Sequence, residues 1–284
     1  MKKVLPIVIS LVLLGMAIAV QGATQQSQTV NATLVGQAPF IIQIWTDQSS
    51  YDPTENSTTT VTVYMRIIDN DGVGNLNTSS FYVNATNPSE PTLNHTYISC
   101  GNIQTENSTT LNCTATINMQ YYNIGGTWTV TGYVEDINGN SDINSTTFTY
   151  NTLEAWAIDK NTIEFGSFYL SDTAKFPDNN TLTNTGNVHI TEINVTAYDL
   201  WGLTQTDKYL PVNSSTFRVG TDTTWATATG LSNATAITVS GADLDIYPSD
   251  TEVLYWGINP SAFAKDTPAQ TYQNRAGEQW LITT

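Results

Sequence analysis

TLTNTGNVHITEINVTAYDL, residues Thr181 to Leu200, reads as a turn feeding a strand. Asn184-Thr185-Gly186-Asn187 supplies the turn, because Gly and Asn tolerate positive φ. Val188 and Ile190 then face one way. Beyond them Ile193, Val195 and Ala197 carry the apolar face, with Asn194, Thr196 and Tyr198 opposite. Strand side chains alternate with period two, so the slip near Thr191-Glu192 predicts a bulge or bend in a strand running from Val188 to Tyr198. Asn194-Val195-Thr196 on the wet face is also an Asn-X-Thr glycan acceptor. A two-faced strand, an uncharged turn and an acceptor on the polar side recur through the chain.

The same alternation fills the first half. Phe40, Ile42 and Ile44 share a parity, as do Val61, Val63, Met65 and Ile67. Phe81 pairs with Val83, and Leu111, Cys113, Ala115, Ile117 and Met119 make the longest run. Trp128, Val130 and Val134 follow, then Phe148 and Tyr150. The second half offers strands at 153–158, 162–165, 176–182, 188–198, 216–219, 236–239, 253–256 and 279–283. Five of the seven Trp lie there: Trp156, Trp201, Trp225, Trp256 and Trp280. Some of these rings are expected to fill the core between sheets. No helical periodicity competes. The predicted fold class is all-β: two tandem Ig-like antiparallel β-sandwich domains, 38–150 and 151–284, behind an N-terminal signal peptide at 1–22 and a polar leader at 23–37.

Composition narrows the role. The 284 residues carry 9 Lys and Arg against 25 Asp and Glu, a formal charge of -16. Loss of Lys2 and Lys3 with the signal peptide would make it -18. That charge argues against nucleic acid and anionic membrane surfaces as partners. Only 12% of residues are charged; 27 Asn and 47 Thr take over the polar role. Lys2-Lys3, the apolar run from Val4 to Val20 and the small residues of Ala17-Ile18-Ala19 and Gly22-Ala23 mark a secretory signal, cut after Ala19 or Gly22. An uncleaved anchor through residues 4–20 is the alternative, and the sole route to a membrane in this reading. In the leader, the short β-like run Thr29 to Val35 suggests assembly by strand donation to the open sheet edge of another copy or of an envelope protein. Cys100 and Cys113, the only cysteines, flank a 12-residue hairpin-like segment, and in an exported chain they read as one disulfide.

Acceptor triplets occur at Asn31, Asn56, Asn77, Asn84, Asn94, Asn107, Asn112, Asn144, Asn179, Asn194, Asn213 and Asn233. That is about twice what chance placement gives, and covalent glycans are therefore expected. Asn112 is the weakest because Cys113 holds the middle position. Asn84, Asn112 and Asn194 fall on polar strand faces; Asn56, Asn107 and Asn144 read as turn residues. Other chemistry is thin. Asp69-Asn70-Asp71-Gly72-Val73-Gly74-Asn75 partly matches a calcium loop at Asp69 and Asp71, but Val73 and Ser80 replace a ligand and the bidentate Glu, so it reads as a turn. His95 and His189 have no metal-ligand spacing. No nucleophile elbow or phosphate loop exists. No enzyme, cofactor, metal site or catalytic residue is expected. Tyr121-Tyr122 and Trp201-Gly202, read as turn aromatics, are candidate sugar-stacking platforms for a carbohydrate- or protein-binding module.

Two segments resemble known families. Gly125-Gly126-Thr127-Trp128-Thr129-Val130, followed by Val134-Glu135-Asp136-Ile137-Asn138-Gly139-Asn140, resembles the closing hairpin of Ig-like extracellular modules. Ile163-Glu164-Phe165-Gly166, then Leu182 to Asn187, then Tyr272 and Gly277-Glu278-Gln279-Trp280-Leu281-Ile282, is similar to exported sandwich domains of archaeal surface proteins. It is more distantly similar to the camelysin/TasA biofilm-fibre group. Gln270-Thr271-Tyr272 lacks the glycine those families place before the tyrosine. The resemblance implies an envelope or surface-fibre role and transfers no active site.

Overall fold

Strand after strand, the apolar parity of the sequence becomes a buried face. The computed structural model describes Thr29, Asn31 and residues 36–248 and 250–284. The segment read as a signal peptide and most of the leader, including most of the run read as a strand donor, lie outside the described residues. In chain order the first half holds β1 (Phe40–Thr46), β2 (Ser50–Tyr51), β3 (Thr58–Ile68), β4 (Tyr82–Thr86), β5 (His95–Ser99), β6 (Asn102–Thr105), β7 (Thr110–Gln120), β8 (Gly126–Glu135) and β9 (Ser141–Tyr150). The second half holds β10 (Trp156–Ile158), β11 (Lys175–Asn184), β12 (Asn194–Ala197), β13 (Leu200–Gly202), β14 (Tyr209–Leu210), β15 (Phe217–Gly220), β16 (Thr229–Gly230), β17 (Thr235–Thr238), β18 (Thr251–Ile258), β19 (Tyr272–Gln273) and β20 (Leu281–Thr283). The helical elements among the described residues are short 3-10 turns.

Sheets β1-β3-β7-β6 and β2-β9-β8-β4-β5 share the first core. β3 and β7 pair in unbroken antiparallel register from Thr58↔Gln120 to Ile68↔Thr110. Their inward residues Val61, Val63, Met65, Ile67, Ala115, Ile117 and Met119 are at most 1% exposed. Each large one contributes roughly 1.5–3 kcal/mol by leaving water. Gly132 sits opposite this layer because a Cβ there would lie 2.2 Å from Met65 Sδ. The disulfide Cys100–Cys113 pins the segment leading into β6 against β7, with a Cα separation of 5.7 Å.

Sheet β10-β11-β18-β15-β16 and the smaller sheets β17-β12-β20 and β14-β13-β19 surround the second core. Trp256 lies at its centre, fully buried, with Nε1 donating to Asn180 Oδ1 at 2.6 Å. Trp156 and Trp280 pack against it from the margin.

Three expectations need correction. Phe40 and Ile42 are not inward: they are 50% and 47% exposed, while Ile41 and Ile44 are buried. A bulge between Ile41 and Gln43 inserts Ile42 and reverses the parity of the strand's first residues. Residues 162–165 form no strand; Ile163 and Phe165 reach the second core from an irregular segment. Finally, the strand expected from Val188 to Tyr198 is an isolated bridge, Ile190↔Leu244, and then the four residues of β12. The chain leaves the ladder at Thr191-Glu192, yet Ile190, Ile193, Val195 and Ala197 all remain buried.

The turn Asn184–Asn187 is buried, which its composition does not suggest. It plugs the junction between the two halves. Asn187 Nδ2 donates to the backbone carbonyls of Asn123 at 2.9 Å and Asn151 at 3.0 Å, and Asn187 Oδ1 accepts from Leu153 N at 2.6 Å. Thr185 Oγ1 donates to Glu55 Oε1 at 2.7 Å, and Asn56 N donates to Thr185 O at 3.1 Å. Asn184 Nδ2 donates to Val188 O at 2.7 Å. Gly186 permits the closest approach: a Cβ there would stand 2.1 Å from Leu153 O. Residues 36–284 accordingly form one compact unit.

Candidate functional site

The outer face of sheet β2-β9-β8-β4-β5 carries a row of tyrosines. On β4, the residues between the buried Phe81, Val83 and Ala85 point outward, among them Tyr82. Antiparallel register sets Tyr82 opposite Tyr133 of β8, and Tyr133 opposite Ile143 of β9. Cross-strand neighbours on one face pack side by side. The Tyr82 and Tyr133 rings stack at 4.9 Å with 17° between planes. Tyr97, on β5, adds a third ring 4.9 Å from Tyr82. It stands where the β4–β5 register shifts and takes a φ of 55°. A non-glycine residue in that region costs about 1–2 kcal/mol, offset here by a bond from Tyr97 N to Asn84 Oδ1 at 2.7 Å. Tyr97 is 72% exposed and Ile143 62%. Tyr133 Oη donates to Glu135 Oε2 at 2.7 Å, and that bond holds its phenol above the usual range. Such rings offer electron-rich faces to the C–H groups of an apolar or saccharide surface.

The aromatics singled out from sequence are placed differently. Trp201 lies on β13 rather than in a turn, half-buried, with the Arg275 guanidinium 3.3 Å from its ring centroid and Tyr209 at 4.8 Å. Its Nε1 donates to Glu278 Oε2 at 3.1 Å. A shallow cleft of about 210 Å³ opens beside it, lined by Leu203, Thr206, Gln273 and Arg275. Arg275 thus already occupies the ring face by a cation–π contact. Tyr122 stacks on Tyr247 at 4.4 Å, with Tyr121 edge-on at 5.0 Å. Tyr121 and Tyr122 are half-buried, and burial raises both phenols.

His95 Nε2 lies 3.0 Å from Asn123 Oδ1 beside the junction. His189 is exposed, 3.2 Å from Asp243 and 3.3 Å from Asp245, next to a cleft of about 230 Å³ that includes Glu154 and Glu192. In the Asp69–Asn75 loop the carboxylates meet protein donors. Asp69, fully buried, accepts from Asp71 N at 2.8 Å, and Asp71 accepts from Gln37 N at 2.5 Å. Burial pushes the neighbouring Asp136 carboxyl up, but bonds from Asn140 and Asn138 outweigh it and leave the group below its ordinary range. Among the described residues no three His, Cys, Asp or Glu side chains stand close enough to hold a metal ion.

The glycan-acceptor candidates sort by geometry. Asn31, Asn56, Asn107, Asn179, Asn213 and Asn233 are exposed; Asn77, Asn84, Asn94, Asn112, Asn144 and Asn194 are partly so. Asn77, Asn107 and Asn213 each accept a hydrogen bond on Oδ1 from the Ser or Thr two residues on. Asn144 lies within β9, not in a turn, and its Nδ2 donates to Ile41 O at 2.9 Å. The bulged β1 folds over β9 at this point, which the local sequence around Asn144 does not signal.

No family model and no curated protein matches the chain. Similar solved structures include dimeric latent PorU from Porphyromonas gingivalis, at 12% identity over 78% of this chain and 17% of that one, TM-score 0.28. The secreted serine protease VesC from Vibrio cholerae matches at 10% identity over 81% of this chain and 50% of that one, TM-score 0.23. Carbohydrate-binding modules of the β-sandwich superfamily match at 16% identity over 87% and 95%, TM-score 0.24. The chain spans less than a fifth of the PorU chain and half of VesC. Similarity at this level transfers no activity.

Proposed function

We propose that the protein is an exported, N-glycosylated structural component of a cell envelope, a rigid two-sandwich spacer or filament subunit rather than an enzyme. The observation that carries this reading is the buried Asn184–Asn187 junction, which ties the halves through side-chain-to-backbone bonds instead of a linker. A spacer must hold two modules in one orientation, and a fully satisfied buried polar network specifies one arrangement. Outer faces built of Thr, Asn and Ser, with acceptor triplets spread over both halves, suit life outside the cell. β1 and β6 are the terminal strands of their sheet, and β6 is exposed throughout, so it offers an edge to another copy. Negative-stain electron microscopy and intact mass of the native protein test the reading together. Ordered assemblies and a mass above that of the mature chain are expected. Dispersed monomers of unmodified mass would contradict it.

A second reading is an extracellular saccharide-binding module, favoured by the exposed ring of Tyr97. Binding of free oligosaccharides to unglycosylated protein, lost in Tyr97→Ala, would establish it instead.

A further inference from the structure

The tyrosine row ends at an acceptor. On β4, Tyr82, Asn84 and Thr86 point to the same outer face, opposite Tyr133, Thr131 and Thr129 of β8. Ser145 of β9 extends the line beyond Thr131. Asn84 therefore sits in a low place, with short side chains beside it and the tall stacked rings of Tyr82 and Tyr133 one residue pair away. Its carboxamide is oriented by the 2.7 Å bond from Tyr97 N to Oδ1. Among the described residues its Nδ2 makes no hydrogen bond, and no buried side-chain nitrogen or oxygen lacks a partner, so that nitrogen faces solvent. Asn84-Ala85-Thr86 is thus an acceptor whose amide is anchored by the very residue that supplies the row's most exposed ring.

We propose that Asn84 carries an N-linked glycan whose first sugar packs on Tyr97 and Tyr82, so that the tyrosine row serves the protein's own glycan; this rests on the reading of the chain as an exported glycoprotein. In the attachment step the anomeric carbon of a lipid-phosphate-linked saccharide forms a bond to Nδ2. The bond from that carbon to the donor's phosphate oxygen breaks, the phosphate leaves with the electron pair, and Nδ2 gives up one proton. The C–H face of the sugar then lies on the electron-rich ring faces. The left-handed backbone of Tyr97 places its ring over Tyr82 beside the acceptor.

The test is expression of the full chain in an N-glycosylating host, with site-by-site glycopeptide mass spectrometry and thermal unfolding. Thr86→Ala removes the acceptor triplet but keeps Asn84 and its bond to Tyr97; the same substitution in protein from a non-glycosylating host measures its intrinsic cost. Asn84 should be occupied, and Thr86→Ala should lower Tm by about 2–4 °C more in the glycosylating host. That excess should vanish in a Tyr97→Ala background and persist in Tyr97→Phe. Asn84 bare while other acceptors are filled overturns this inference and leaves the glycoprotein reading standing. No acceptor filled overturns both. An excess that survives Tyr97→Ala removes the role of the ring, and free-saccharide binding by the bare row assigns it to another ligand.

Discussion

Asn187 shows how much one side chain can hold. Its carboxamide serves two carbonyls and one N–H at the junction, and Asn187→Ala leaves all three without their partner. Unmade buried hydrogen bonds cost about 1–3 kcal/mol each, partly recovered where water enters. We expect Asn187→Ala to lower unfolding free energy by about 3 kcal/mol in denaturant titration, against under about 0.5 kcal/mol for Asn179→Ala on the exposed side of β11. Tyr51 sets a pH dependence. Burial, then the bond from its Oη to Asp47 at 2.6 Å, pushes its pKa up to about 12. The folded value lies above the unfolded value of about 10, so this contribution is complete below about pH 10 and fades as pH rises through 12. Thermal unfolding between pH 9 and 12 should lose stability more gently in Tyr51→Phe than in the wild type. Neither role was legible in sequence. Asn187 reads as a surface turn residue because local composition does not reveal which surface another module will cover.

At the scale of elements, legibility followed regularity. β3, β7 and β8 are long, pair on both sides and bury one face, so their alternation gave parity and core residues directly. β1 failed at Ile42 because a bulge changes the count between partners, and the count belongs to the pairing, not to either strand. The tyrosine row was hidden for the same reason. Tyr82 and Tyr133 each stand at outward parity, but their stacking depends on a register that only folding sets. The spacing of Cys100 and Cys113 around a hairpin-like segment was readable, and the bond joins the segment leading into β6 to β7. Closing a loop of sequence separation 13 should stabilise the fold by about 3 kcal/mol. Paired Cys100→Ser and Cys113→Ser substitution should lower the unfolding free energy by that amount; a change under about 1 kcal/mol would show that the β6–β7 pairing is secure without it.

For the whole molecule, the fold class was legible and the union of its halves was not. Two runs of alternating strands predict two cores, and two cores are present. What joins them is a turn whose residues resemble any other exposed Asn-Gly turn, and an acceptor at Asn56 lies alongside it. The joint makes the halves interdependent: opening it strands the carbonyls of Asn123 and Asn151 and the N–H of Leu153 together. Rigid union of the two halves is tested most directly by scanning calorimetry of the full chain. One transition with equal calorimetric and van't Hoff enthalpies is expected, splitting into two in Gly186→Ala, where the new methyl would collide with Leu153 O. Two separate transitions in the wild-type protein would contradict it.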